Sequence, residues 1–223
     1  MDVVLKRRLG DNKVYAIIAV FIIIVILLTV IISSSDMNHA YISEDYLTDG
    51  WSEDIEAREN SYELLNSWII FTYLNDDVNY PASITVTTKK TLFMMSESEL
   101  MDETIKTIKD ASGQGITIDD ATKISGKRVL INGEHQTRYV VYNGTDNSSG
   151  VSENVKVIGE TWNCGVSGTS IICIGVAQIT DNLHSNNSIV TAHWEKIIRD
   201  KEGTFGTGEY IGDDGLLFNV KCH

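Results

Sequence analysis

The 223-residue sequence predicts an α+β fold, in which a single N-terminal transmembrane helix is followed by an antiparallel β-sheet with two helices packed on one face. Three observations predict it. An uncharged apolar run lies near the amino end, several segments are rich in β-branched and aromatic residues, and two segments repeat apolar residues at helical spacing. The composition, 43% hydrophobic with one proline, is sufficient for a folded core.

The apolar run covers residues 14–32 and contains no charged side chain. A helix of this length spans a hydrocarbon core of ~30 Å. Basic residues precede it within residues 1–13, so the positive-inside rule predicts a cytoplasmic amino end, a single-pass position in the cell membrane and an extracytoplasmic remainder. A cleaved signal peptide is the competing interpretation, although its apolar region usually has only ~7–15 residues.

The remainder divides into an acidic stalk at residues 33–60 and an extracytoplasmic α+β domain with a C-terminal strand at residues 61–223. The domain begins with two strand-like segments, SYELLNSWIIFTYLN and ASITVTTKKTLFMM. A helix follows, since Ser96 and Glu99 have the spacing of a capping box and later apolar residues share one helical face.

Two hairpins are predicted after this helix. Asn132 and Gly133 lie between strand-like runs, as a two-residue turn requires, and a second hairpin turns around residues 165–170. A second amphipathic helix begins near Ser188, and a short last strand covers residues 216–222. The two helices are expected to cover the same face of the sheet.

The charge balance limits the classes of partner. The chain has 18 Lys and Arg against 31 Asp and Glu, a net charge of −13. Binding to nucleic acid needs a basic surface that releases counterions, so no nucleic-acid partner is predicted. The predicted membrane contact is made by the N-terminal helix alone.

The three cysteines are disulfide candidates, because thiols outside the cytoplasm are usually oxidised. Cys164 lies opposite Cys173 if the second hairpin is centred on residues 168–169. Cys164 paired with Cys222 is the rival, and it would fasten the last strand to the sheet through a long loop. Both pairings stay open at this point.

No catalytic, cofactor-binding or metal site is predicted from local motifs. The five histidines show no zinc-binding spacing, and the cysteines form no C-x-x-C pair. Cys222 and His223 are adjacent, but two neighbouring ligands would need others from elsewhere in the fold. Three acceptor sequons, at Asn143, Asn147 and Asn186, fall in predicted loops and are glycosylation candidates.

The order of elements across residues 61–200 resembles the PsbP-like fold family, which includes prokaryotic cell-surface proteins. The resemblance lies in the strand, turn and Tyr-containing return strand formed by Ile131, Asn132, Gly133, Arg138 and Tyr139. It implies a PsbP-like sandwich and, because family members are mostly non-enzymatic, a binding or assembly role.

The expected function is therefore a membrane-anchored, extracytoplasmic, non-catalytic binding or assembly module with a protein or cell-envelope partner. One alternative is a type IV pilin-like filament subunit, since KRRLG precedes the hydrophobic run. The other is a surface hydrolase, which would need converging Ser, His and Asp side chains.

Overall fold

Antiparallel strands form most of the regular structure. The computed structural model describes residues 37–223 except 64–65, 78–79, 112–114, 131–134, 148–149 and 181–186. The strands of this part are β1 (Tyr41–Ile42), β2 (Trp51–Glu53), β3 (Glu59–Tyr62), β4 (Asn66–Asn75), β5 (Ala82–Thr91), β6 (Ile116–Leu130), β7 (His135–Asp146), β8 (Glu153–Cys164), β9 (Thr169–Gln178) and β10 (Val220–Lys221). Its α-helices are α1 (Glu97–Ala111) and α2 (Asn187–Ile198).

Eight strands build one sheet in the order β2-β4-β5-β9-β8-β7-β6, with β3 also paired to β4. Strands β1 and β10 form a separate two-stranded sheet. All pairings between these strands are antiparallel. The predicted hairpins are confirmed as β6–β7 and β8–β9, while the Asn132–Gly133 turn itself lies outside the described residues.

The first helix begins as its sequence predicts. The Ser96 backbone N–H donates to Glu99 Oε2 at 2.9 Å, and the Glu99 N–H donates to Ser96 Oγ at 3.3 Å. These reciprocal bonds are the predicted capping box. Helix α2 follows β9, and Trp194, Ile197 and Ile198 from its last turns are buried.

The predicted fold class is wrong in the position of its helices, which lie on opposite faces of the sheet. Helix α1 packs through Ile108 against a cluster that includes Val140 and Val157. Helix α2 packs through Ile197 in the larger core with Ile158, the next residue of β8 and therefore on the other face. The central strands β8 and β9 are buried along almost their whole length, so both of their faces need a cover.

Over the residues that the structure describes, the fold is thus mainly antiparallel β with one helix on each face, rather than a sandwich with both helices on one side. Within the described part of the chain, no helix has both the length and the apolar character needed to cross a membrane. The transmembrane segment predicted at residues 14–32 lies outside the described residues.

Residues 37–60, which the sequence analysis assigned to a stalk, contribute to the folded core. Trp51 in β2 is 3% exposed, and β2 pairs with β4. Ala40 and Ile42 are buried as well. The Ala40 N–H donates to Thr88 Oγ1 at 2.8 Å and the Ile42 N–H donates to Tyr73 Oη at 2.9 Å, so this segment is tied to the large sheet.

Candidate metal centre

Two cysteines and two histidines converge at one end of the large sheet. They are His135, Cys164, Cys222 and His223, and we call this set the Cys2His2 cluster. One possible ligand atom from each residue lies within 4.8 Å of the other three. The first three residues are buried, whereas His223 is exposed.

The hairpin registers explain why two of these residues meet. His135 is the first residue of β7 and pairs with Leu130, while Cys164 is the last residue of β8 and pairs with Thr169. Strands β7 and β8 run antiparallel, so the start of one and the end of the other lie at the same end of the sheet.

The last segment of the chain brings the other two residues. Leu216, Leu217 and Val220 are each 0% exposed and belong to the larger core. Strand β10 then pairs with β1. Hydrophobic burial of this segment therefore positions Cys222, which directly follows β10, and His223 beside it.

Three of the distances within the Cys2His2 cluster are close to those of tetrahedral coordination. Cys222 Sγ lies 3.2 Å from His135 Nε2, and His223 Nδ1 lies 3.5 Å from both Cys222 Sγ and Cys164 Sγ. With zinc–sulfur bonds of ~2.3 Å and zinc–nitrogen bonds of ~2.05 Å, two ligands of a tetrahedral ion lie about 3.6 Å apart. These three contacts are thus close to the ligand separations around one tetrahedral ion, and every pair of donors lies within 4.8 Å.

The surroundings of Cys164 favour its thiolate. Burial raises the pKa of the thiol, but hydrogen bonds from Cys222, Ser167 and His223 outweigh burial and bring the pKa below its usual value. The opposite holds for Cys173, whose complete burial raises the pKa of its thiol well above the usual value. Metal ligation requires the thiolate, so Cys164 is better suited to bind a metal ion than Cys173.

Trp162 supports the cluster from the same strand as Cys164. Its ring stacks on the His135 imidazole with centroids 6.1 Å apart and an interplanar angle of 30°. The indole Nε1 is buried and has no hydrogen-bond partner among the described residues. The Trp162 ring covers part of the imidazole, and an apolar shell of this kind limits solvent access at metal sites.

The donor set is selective. Thiolate and imidazole are ligands for zinc and for the softer transition metals, whereas calcium and magnesium require oxygen donors. Four donors from the protein fill a tetrahedral site, the arrangement of structural rather than catalytic zinc.

The two candidate disulfide pairings differ in the structure, where all three cysteines are thiols. Cys164 pairs in register with Thr169, and Cys173 pairs with Glu160, so Cys164 and Cys173 are not opposite each other. Cys164 and Cys222 both lie in the cluster. The turn centre assumed for the first pairing was therefore wrong, and the second pairing involves the same two sulfurs as a metal site.

The sequons have different positions. Asn143 lies within β7 rather than in a loop and is exposed, and Asn147 is exposed just beyond this strand. Asn186 lies outside the described residues. Glycosylation at the three positions stays a prediction.

His135 is the residue that sequence reasoning missed. It lies 87 residues from Cys222, and Cys164 lies 58 residues from Cys222, so no local motif joins the ligands. Only the hairpin registers, together with the position of the last segment, place them together.

Comparisons of this chain with protein-family models, with curated proteins and with solved structures gave no match. The resemblance to the PsbP-like family stays a prediction from the sequence pattern.

Proposed function

We propose that the chain is a non-catalytic metal-binding domain, in which the Cys2His2 cluster holds one zinc ion. The observation that carries this proposal is the convergence of four sulfur and nitrogen donors within 4.8 Å, three of them on buried residues. The proposal thus departs from the sequence analysis, which predicted no metal site.

Charge supports a divalent ion. Two thiolates and two neutral imidazoles together carry a charge of −2, which a divalent ion neutralises. Cys164 and Cys222 are 0% and 1% exposed. Two buried thiolates without a cation would repel each other and lose their hydration, so the ion makes burial of this set favourable.

The rival for the same residues is a disulfide between Cys164 and Cys222. It is the form expected if the domain lies in an oxidising compartment, as the sequence analysis predicts. A disulfide would remove both sulfurs from metal binding. The two states therefore differ in metal content and in the number of free thiols.

The test is metal binding by the full-length chain, which is purified in mild detergent with a thiol-free reductant, freed of metal, reloaded with zinc and cleared of excess zinc. We expect one zinc per chain by elemental analysis, and tetrahedral thiolate spectra when Co²⁺ replaces zinc. Cys164→Ser and Cys222→Ser should each weaken binding by at least about 100-fold.

Cys173→Ser is the matched control, because Cys173 is a buried cysteine outside the cluster. It should keep full metal content. The proposal would be contradicted if the reduced chain bound less than one zinc per chain. It would also be contradicted if all three serine variants lost zinc binding equally.

A further inference from the structure

The four donors of the Cys2His2 cluster are held unequally. His135 begins strand β7 and is 8% exposed, and Cys164 ends strand β8 and is fully buried. Cys222 directly follows β10 and is 1% exposed. His223 lies beyond that strand and is the one exposed residue of the four.

Packing and strand pairing hold the three buried donors in place. The His135 ring stacks on Trp162, and its Nε2 lies 3.2 Å from Cys222 Sγ. The backbones of His135 and Cys164 are held by strand pairing at the end of the sheet, and their side chains are buried. The His223 ring meets His135 edge-on at a centroid distance of 6.0 Å, with Nδ1 3.5 Å from both sulfurs. Rotation of the His223 side chain toward solvent requires no strand to open.

We infer that His223 is the exchangeable ligand of the cluster, through which the metal ion enters and is handed to a competing imidazole or thiolate donor. This inference rests on the proposed function. In the exchange, the bond from His223 Nδ1 to the metal breaks and a bond from the incoming donor forms. The ion keeps its 2+ charge, three protein donors stay bound, and no electron is transferred.

Ligand exchange at one position has a clear energetic basis. The three buried donors keep both thiolates, and with them the charge neutralisation of the ion. The incoming donor replaces a neutral imidazole by another neutral imidazole or by a thiolate, so charge balance changes by at most one unit. Exchange at Cys164 or Cys222 would instead leave a buried thiolate without its cation, which is costly.

The experiment compares His223→Ala with His135→Ala in the full-length chain, loaded with zinc or Co²⁺. Both changes remove one imidazole, but only one of them is exposed. We expect His223→Ala to keep one metal per chain with an affinity lower by about 10- to 100-fold, the range seen when a supporting residue is lost. His135→Ala should lose stoichiometric binding. Circular dichroism checks folding, and Cys164→Ser serves as the buried-ligand control if His135→Ala does not fold.

Imidazole rescue is the decisive readout. Transfer of zinc to a coloured chelator should be faster from His223→Ala than from the wild type. Added imidazole should slow this transfer and restore the Co²⁺ spectrum of the wild type.

Two outcomes would overturn the inference: loss of binding in His223→Ala as complete as in the buried-ligand variant, or a His223→Ala spectrum and transfer rate equal to those of the wild type. If the wild-type chain binds no metal, the proposed function itself has failed, and the first step of the experiment shows this separately.

Discussion

Arg128 carries a buried positive charge on the face of the sheet that also holds the metal centre. Its Nε donates to Glu160 Oε1 at 2.8 Å, and its Nη2 donates to Glu160 Oε2 at 2.5 Å. A third donor, Nη1, lies 3.2 Å from Asp200 Oδ2. The Arg128 and Glu160 side chains are 6% and 0% exposed. The bidentate contact and the second carboxylate compensate the lost hydration of the guanidinium.

Replacing Arg128 by methionine should therefore lower the free energy of unfolding by about 3–5 kcal/mol, because Glu160 would stay buried without its cation. Urea denaturation followed by circular dichroism measures this change. The neighbouring Lys127→Met is the control. Lys127 lies 3.5 Å from Glu97, and its side chain is 61% exposed, so its loss should cost about 0–1 kcal/mol. Equal destabilisation by the two changes would contradict a special role for the buried pair.

The residues of the Cys2His2 cluster differ in how well the sequence predicted them. Cys164 and Cys222 were identified as a candidate pair, because cysteines are few and their chemistry is distinctive. His135 was not identified, since a histidine at the start of a strand has no local pattern that separates a ligand from a core residue. Its role depends on the position of Cys222, 87 residues away.

At the scale of elements, two glycines let the helices approach the sheet. A methyl group at Gly159 would lie 2.4 Å from Thr104 Cγ2 of α1, and one at Gly175 would lie 2.8 Å from Ile197 Cγ2 of α2. These glycines lie on paired strands and face opposite sides of the sheet. Each helix thus packs directly against the strand backbone at a glycine, where no side chain separates the two.

Gly159→Ala and Gly175→Ala should each lower the free energy of unfolding by about 1–3 kcal/mol, since the helix must move to admit the methyl group. Gly165→Ala is the control. Gly165 is exposed in the β8–β9 loop, and a methyl group there would meet no atom within 4 Å. Its change should stay within about 0.5 kcal/mol. Thermal or urea denaturation of the three variants tests this. Wild-type stability in both strand variants would show that the helices do not pack this closely.

The same elements explain which parts of the fold the sequence could predict. The β6–β7 and β8–β9 hairpins and the start of α1 were predicted correctly, because alternation and capping are local signals. The placement of both helices on one face was wrong. Strands β8 and β9 carry buried apolar residues on both sides, so their pattern does not indicate which face each helix covers.

For the whole molecule, the Cys2His2 cluster joins parts of the chain that are distant in sequence. It links the β6–β7 and β8–β9 hairpins to the segment that carries β10, and β10 in turn pairs with β1 near residue 41. Tyr41 pairs with Lys221, and Ile42 pairs with Val220. The two-stranded sheet is short, so much of its stability should come from the buried residues around it and from the proposed ion.

Removal of the ion should therefore destabilise the two-stranded sheet of β1 and β10 before the rest of the protein. Zinc present at 1,000 times its dissociation constant stabilises a folded protein by about 4 kcal/mol, so chelation should lower the melting temperature of the full chain. Hydrogen exchange should speed up at the amides of β1, β10 and Cys222, while the amides that pair β4 with β5 keep their protection. Cys173→Ser should respond like the wild type, and Cys222→Ser should show the faster exchange without any chelator. If the exchange pattern were unchanged after zinc had been fully removed, the ion would not hold the segment that carries β10. Buried apolar residues such as Leu216 and Leu217 would then keep this segment in place alone.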